Sequence, residues 1–134
     1  MDRKAVNQLS GLTLAYLGDA AWEIQVRTHL VASGLTRPHD LHERATHFVS
    51  AKSQAKLVKH LLDSQALTEV EVGIFKRGRN SQSHSSAKNA DIHSYRQATG
   101  LEALMGYLYL VDTDRFQALT QASMAYLEEE EHEF

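Results

Sequence analysis

Two mainly apolar stretches of helical length, residues 12–31 and 97–111, constrain the fold more than any other feature of the chain. In the first, Leu12, Tyr16, Leu17, Ala20, Ile24, Leu30 and Val31 fall near one stripe of a 3.6-residue period, the mark of a helix that covers a core. No segment alternates as a strand would, and no two-residue hairpin signal occurs. The expected fold is all-α, a bundle in one domain over residues 1–134.

Start and stop signals divide the rest. Ser33-Gly34 ends the first helix, and Leu35 to Asp40, with the single proline Pro38, reads as a loop. Asp40 and Glu43 have the spacing of a capping box for a short helix. Ser50 caps a helix to about Leu62, with Leu57, Val58, Leu61 and Leu62 as its apolar face and Lys52, Lys56, Lys59 and His60 as a basic one. Thr68 and Glu71 repeat the capping-box spacing before a helix that ends near Lys76. Arg77 to Ala90, rich in Gly, Ser and Asn, reads as a long loop, and loops of that length usually have a function. A helix from Asp91 to Val111 and a last one through Tyr126, capped by Asp112, Thr113 or Asp114, complete the set.

Composition narrows the class. Without cysteine there is no disulfide framework and no thiolate metal site. The first residues lack the apolar core of a signal peptide, and no stretch reaches the roughly 20 apolar residues of a membrane span, so a cytoplasmic location is expected. The net charge of -3 masks an asymmetry. Glu128, Glu129, Glu130, Glu131 and Glu133 are five of the 17 acids, and removing them leaves 12 against 14 Lys and Arg in residues 1–127. The acidic end, 128–134, is expected to be a solvated helix terminus or a frayed tail.

Asp19 is the only charged residue between Lys4 and Glu23, and Glu102 the only one from Gln97 to Val111. Gly18, Ala20 and Ala21 surround the first, and Gly106 lies one turn from the second. An unpaired carboxylate in so apolar a setting is costly. Either each acid forms a buried salt bridge, with Arg27 or Arg96 for instance, or the two helices pack so that both acids share one Mg²⁺ or Mn²⁺. Glu23, one turn beyond Asp19, is a candidate further ligand or a group in the next shell.

Lys76, Arg77, Arg79, Asn80, Ser81, His84 and Lys88 lie in a stretch with no acid between Glu71 and Asp91. Together with Lys52 they form the candidate phosphate-binding set, because guanidinium forks, ammonium groups, hydroxyls and free backbone N–H groups position a nucleic acid without reading its sequence. His39-Asp40, with His42 and His47 nearby, has the dyad of HD-type metal phosphohydrolases, but the apolar helices supply no further histidine. No G-x-S-x-G, P-loop or H-E-x-x-H occurs.

Leu12-Thr13-Leu14-Ala15-Tyr16-Leu17-Gly18-Asp19-Ala20 resembles the signature helix of the ribonuclease III catalytic domain, and Gly100 to Leu110 resembles its second acidic helix. With Val49-Ser50-Ala51-Lys52-Ser53-Gln54-Ala55 and Lys76-Arg77-Gly78-Arg79-Asn80, these blocks resemble Mini-III, the branch made of the catalytic domain alone. Four blocks in the right order, over roughly residues 9–125, are far more specific than any one. The resemblance implies a homodimeric, Mg²⁺-dependent endoribonuclease that cuts double-stranded RNA, acts in maturation of the 23S ribosomal RNA precursor, and has Asp19 and Glu102 as its metal-binding catalytic acids.

Three positions depart from the wider family. Leu12 and Ala15 stand where other members carry glutamates, and Thr99 where an aspartate is usual. Fewer fixed ligands follow, and the number of metal ions per site is left open. With no double-stranded-RNA-binding domain expected, affinity would rest on the basic stretch and the dimer surface and be strongly salt-dependent. The competing readings are a catalytically silent RNA-binding or scaffold dimer and an HD-type phosphohydrolase. The natural cleavage position and any accessory ribosomal protein are left open.

Overall fold

Seven helices follow one another in a computed structural model that describes residues 1–81 and 91–132, the side chains of 131 and 132 excepted: α1 (Arg3–Asn7), α2 (Gly11–Ala32), α3 (Pro38–Val49), α4 (Ala51–Asp63), α5 (Glu69–Arg79), α6 (Ile92–Val111) and α7 (Thr113–His132). Among the described residues there is no strand, as the apolar pattern predicts.

The caps explain most boundaries. Ser10, Ser50 and Asp91 each accept a hydrogen bond from the backbone N–H three residues on, opening α2, α4 and α6. Thr68 and Glu71 form a full capping box on α5. Helix α3 differs from expectation. It starts at Pro38 with no side-chain cap, because proline in the first turn lacks only an N–H that the helix leaves unbonded anyway. The Asp40–Glu43 spacing is therefore internal to α3. Helix α5 also runs past Lys76 to Arg79, so Arg77 and Arg79 belong to a helix and not to a loop.

Helix α6 is the centre of the packing. It is buried nearly all round, against α2, α4 and α5. Phe48, Phe75, Leu101, Leu104, Met105 and Phe116 fill the core, and the Trp22 indole N–H donates to the Phe48 carbonyl at 3.1 Å, fastening α3 to α2. Helices α2 and α6 cross at glycines. A Cβ on Gly18 would run into the Glu102 carbonyl oxygen, and one on Gly106 into the Leu14 carbonyl oxygen, so only glycine allows this backbone-to-backbone approach.

That crossing decides which face of α2 is inside. Leu14, Ala15, Gly18, Ala21, Trp22, Val26 and Leu30 are buried, whereas Leu12, Tyr16, Ile24 and Val31 of the stripe read from the sequence are exposed. Most of the stripe faces outward, Leu30 excepted; α2 is apolar on two sides, and periodicity alone cannot choose between them.

The acidic end is helical through His132 and not a loose tail over that span. Glu128 bonds to His29 at 2.7 Å and to Arg44 at 2.8 Å, and Glu130 lies 3.5 Å from Lys56, which ties α7 to α2, α3 and α4. Residues 133–134 lie outside the described residues.

Candidate active site

The glycine crossing sets Asp19 of α2 beside Glu102 of α6, close enough for the two carboxyl groups to act on each other. Asp19 is on the exposed side of the pair and Glu102 is half-buried. Burial, followed by the charge and hydrogen bond of Asp19, pushes Glu102 up to about 8, while a hydrogen bond from Gln54 on α4 acts in the opposite sense. Two carboxyl groups thus meet in a setting where ionising both is unfavourable.

No arginine relieves them. Arg27 bonds instead to Glu23 at 3.1 Å, and Arg96 is exposed; among the described residues no ion pair joins Glu102 to a lysine or arginine. The salt-bridge alternative for these acids is not what the fold contains. Glu23 is engaged with Arg27, and among the described residues no group of three or more His, Asp or Glu stands ready for a metal. Among the described residues, Asp19 and Glu102 are the acids that the crossing brings together. Of the three departures, Leu12 is exposed, Ala15 is buried, and the Thr99 hydroxyl donates to the Tyr95 carbonyl of its own helix at 3.0 Å.

The basic candidates are placed unevenly. Lys76 is exposed on the last turn of α5. Arg77 donates to the Leu9 carbonyl ahead of α2, and Ser81 donates to the Arg77 carbonyl at 2.7 Å. Arg79 lies over the Phe75 ring at 5.6 Å and donates to Asn80 Oδ1 at 3.1 Å. These contacts pack the end of α5 against the start of α2, where Gly11 leaves room for Ser81. Lys52 is exposed on α4, on the side of Asp91. His84 and Lys88 lie outside the described residues. His39, 87% exposed and 3.3 Å from Glu43, is remote in character from any buried site, so the HD dyad does not assemble.

Gln54 joins the site without having stood out as a candidate from the sequence. A signal for it exists, since a polar residue holds the first position of the Gln54, Leu57, Val58, Leu61 face of α4.

Residues 12–113 match the model of the Ribonuclease III domain. The fold is similar to a crystal structure of a Fusobacterium nucleatum protein, with a TM-score of 0.76 and 29% identity over 88% of this chain and 93% of that one. The chain belongs to the ribonuclease III family and is an endoribonuclease. Its particular relatives are Mini-ribonucleases 3: the Enterococcus faecalis protein is 57% identical over 77% of this chain and 78% of its own length. The Streptococcus pneumoniae protein is 49% identical over 85% and 90%.

Proposed function

We infer that this endoribonuclease cleaves double-stranded RNA with the help of a divalent cation, Mg²⁺ with Mn²⁺ as a substitute, held by Asp19 and Glu102. The observation that carries this reading is the carboxyl pair itself, two acids set beside each other across a helix crossing, with no lysine or arginine paired to Glu102 among the described residues. Hard cations take oxygen ligands, and Mg²⁺ commonly keeps several waters beside one or two carboxylates, so the donor set fits. When bound, such a cation activates water as the nucleophile and stabilises charge on the phosphate and the departing 3′ oxygen.

The chain's own part is positioning. Asp19 and Glu102 are held by backbones in contact at Gly18 and Gly106, which leaves their separation little freedom. Asp19 faces outward, where a phosphodiester can approach, and Glu102 sits behind it, partly screened from water. Glu23, one turn along the exposed side of α2, is placed to orient a water once Arg27 yields it. Lys76, Arg77, Arg79, Asn80, Ser81 and Lys52, with His84 and Lys88, would neutralise and position the RNA backbone. Long A-form RNA would be read by shape, with steep salt dependence.

A homodimer completes the reading. Tyr16 is 85% exposed, and with Leu12, Ile24 and Val31 it makes an apolar face on α2 that a second copy would cover, on the same side as Asp19 and Glu23. Two-fold symmetry would then direct one site at each strand, giving a staggered cut. Ribosomal RNA maturation, on the 23S precursor in the cytoplasm, is the role we assign.

The test is incubation with long double-stranded RNA and Mg²⁺, comparing wild type, Asp19→Asn, Glu102→Gln and an EDTA control. Endonucleolytic fragments from wild type alone are expected. No fragments from wild type, or undiminished fragments from both variants, would refute the reading. A silent scaffold would give the first result and an HD-type hydrolase the second.

A further inference from the structure

We propose that Gly11, Arg77 and Ser81 form a clasp that holds the basic end of α5 in register with the Asp19–Glu102 pair, which makes Gly11 and Arg77 positioning residues for RNA cleavage. The inference rests on the reading of that pair as the cleavage site and of the end of α5 as a phosphate contact, and deepens it.

Helix α2 opens on Gly11, a poor helix former, although the backbone there does not require glycine. Among the described residues Gly34 is the glycine with a positive φ, so what Gly11 supplies is space. A Cβ on it would stand 2.6 Å from the Ser81 hydroxyl oxygen and 2.8 Å from the Arg77 carbonyl oxygen, closer than atoms pack. Gly73, on the exposed side of α5, has nothing within 4 Å of the same position, so the crowding belongs to the contact. Two hydrogen bonds close it. The Arg77 guanidinium donates to the Leu9 carbonyl, and the Ser81 hydroxyl donates to the Arg77 carbonyl at 2.7 Å. Leu9 and Gly11 flank Ser10, the cap of α2, so the chain enters α2 pressed against the end of α5.

The same end of α5 is keyed to α6. A Cβ on Gly78 would stand 2.5 Å from the Ala103 Cβ and 3.0 Å from the Gly100 Cα. Gly100 and Ala103 flank Glu102 in the chain, and Gly11 precedes Asp19 by about 12 Å along the axis of α2. Lys76, Arg77, Arg79 and Asn80 are therefore set by close contact against both helices that carry an acid. Phosphate contacts fix the register of a protein on a duplex. The clasp turns that register into a set position of the phosphodiester relative to Asp19, and a misplacement of about 1 Å can cost about 100-fold in rate.

The experiment compares wild type with Gly11→Ala, which wedges the contact apart without changing charge, and Arg77→Lys, which keeps the charge and loses the fork that reaches Leu9. Circular dichroism follows the fold, electron paramagnetic resonance of free Mn²⁺ reads metal affinity, and duplex RNA is bound without metal across a salt series and cleaved with Mg²⁺. In whichever variant folds, kcat is expected to fall about 10–100-fold. Mn²⁺ affinity, RNA affinity and KM should each stay within about 3-fold of wild type, and the salt slope should not change. Lys76→Met should instead make the salt slope shallower by about 1. Folded variants with wild-type kcat would overturn the proposal while leaving the cleavage site standing. Weaker RNA binding at unchanged kcat would make these residues phosphate contacts only, and loss of Mn²⁺ binding would assign the contact to shaping the metal site; either overturns it. Loss of folding in both variants would assign the clasp to the core and also overturn it. Wild type that fails to bind Mn²⁺ or to cut duplex RNA would remove the reading on which this one rests.

Discussion

Glu71 and Glu102 are both glutamates on helices packed into the same core, and their surroundings are opposite. Glu71 is 5% exposed, yet Arg115 donates to it twice, each bond 2.8 Å, and the Thr68 backbone N–H donates at 3.0 Å. Burial alone would raise its carboxyl, but Arg115 and Thr68 outweigh it and hold the group below its usual range. Glu102 has an acid and an amide for company and is pushed up to about 8. A fold that pairs a buried carboxylate this well at one place leaves another with no cation among the described residues, and the second is the one to suspect of chemistry.

The largest effect that would break this contrast is on activity. Asp19→Asn or Glu102→Gln should lower the cleavage rate by about 1000-fold or more, read from single-turnover digestion of duplex RNA. Glu71→Ala should leave the rate per folded molecule near that of wild type. If Glu71→Ala proves as inactivating as Glu102→Gln while still folded, the two glutamates do not divide as described.

Stability should show the reverse ranking. Removing Glu71 leaves Arg115 only its bond to the Ala66 carbonyl and breaks the α5 capping box, and should cost about 2–3 kcal/mol in urea unfolding, below the range for a fully buried pair because Arg115 is 31% exposed. The pH dependence separates the pair further. Glu102, at about 8 when folded against 4.5 as its usual value, keeps its proton while the unfolded chain loses it. The metal-free protein should therefore lose stability as pH rises from about 4.5 to about 8, and Glu102→Gln should remove that slope. Glu71 is lowered, so its contribution is present above 4.5 and is lost as pH falls through the folded value. Thermal melts across pH in wild type and both variants read the two slopes. The smallest effect is a gain: Glu102→Gln should stabilise the metal-free protein at pH 8 by about 1 kcal/mol, since it removes a partly buried charge that faces another acid.

Much of this arrangement is legible in the sequence alone. The all-α architecture follows from long 3.6-period stretches, and Ser50, Asp91 and the Thr68–Glu71 box mark helix starts that the fold confirms. Asp19 and Glu102 stand out as lone acids in apolar runs. Their meeting is not legible, because it depends on Gly18 and Gly106 facing each other from distant parts of the chain. For the same reason the stripe from Leu12 to Val31 can be found but not assigned to the outside. Helix α1 has five residues, too short for periodicity to register, and Pro38 rather than Asp40 opens α3 because a proline's fixed backbone angle starts a helix unaided. Gln54 is visible as a polar interruption in an apolar face, and only the packing of α4 against α6 brings it near Glu102.

The most direct measurement is calorimetric titration of Mg²⁺ into the metal-free protein at pH 7 in two buffers of different ionisation enthalpy. Wild type should bind with release of close to one proton per site, that of Glu102, and Glu102→Gln should release none and bind far more weakly. Equal affinity and stoichiometry in wild type and Glu102→Gln would contradict the assignment of the Asp19–Glu102 pair as the metal site.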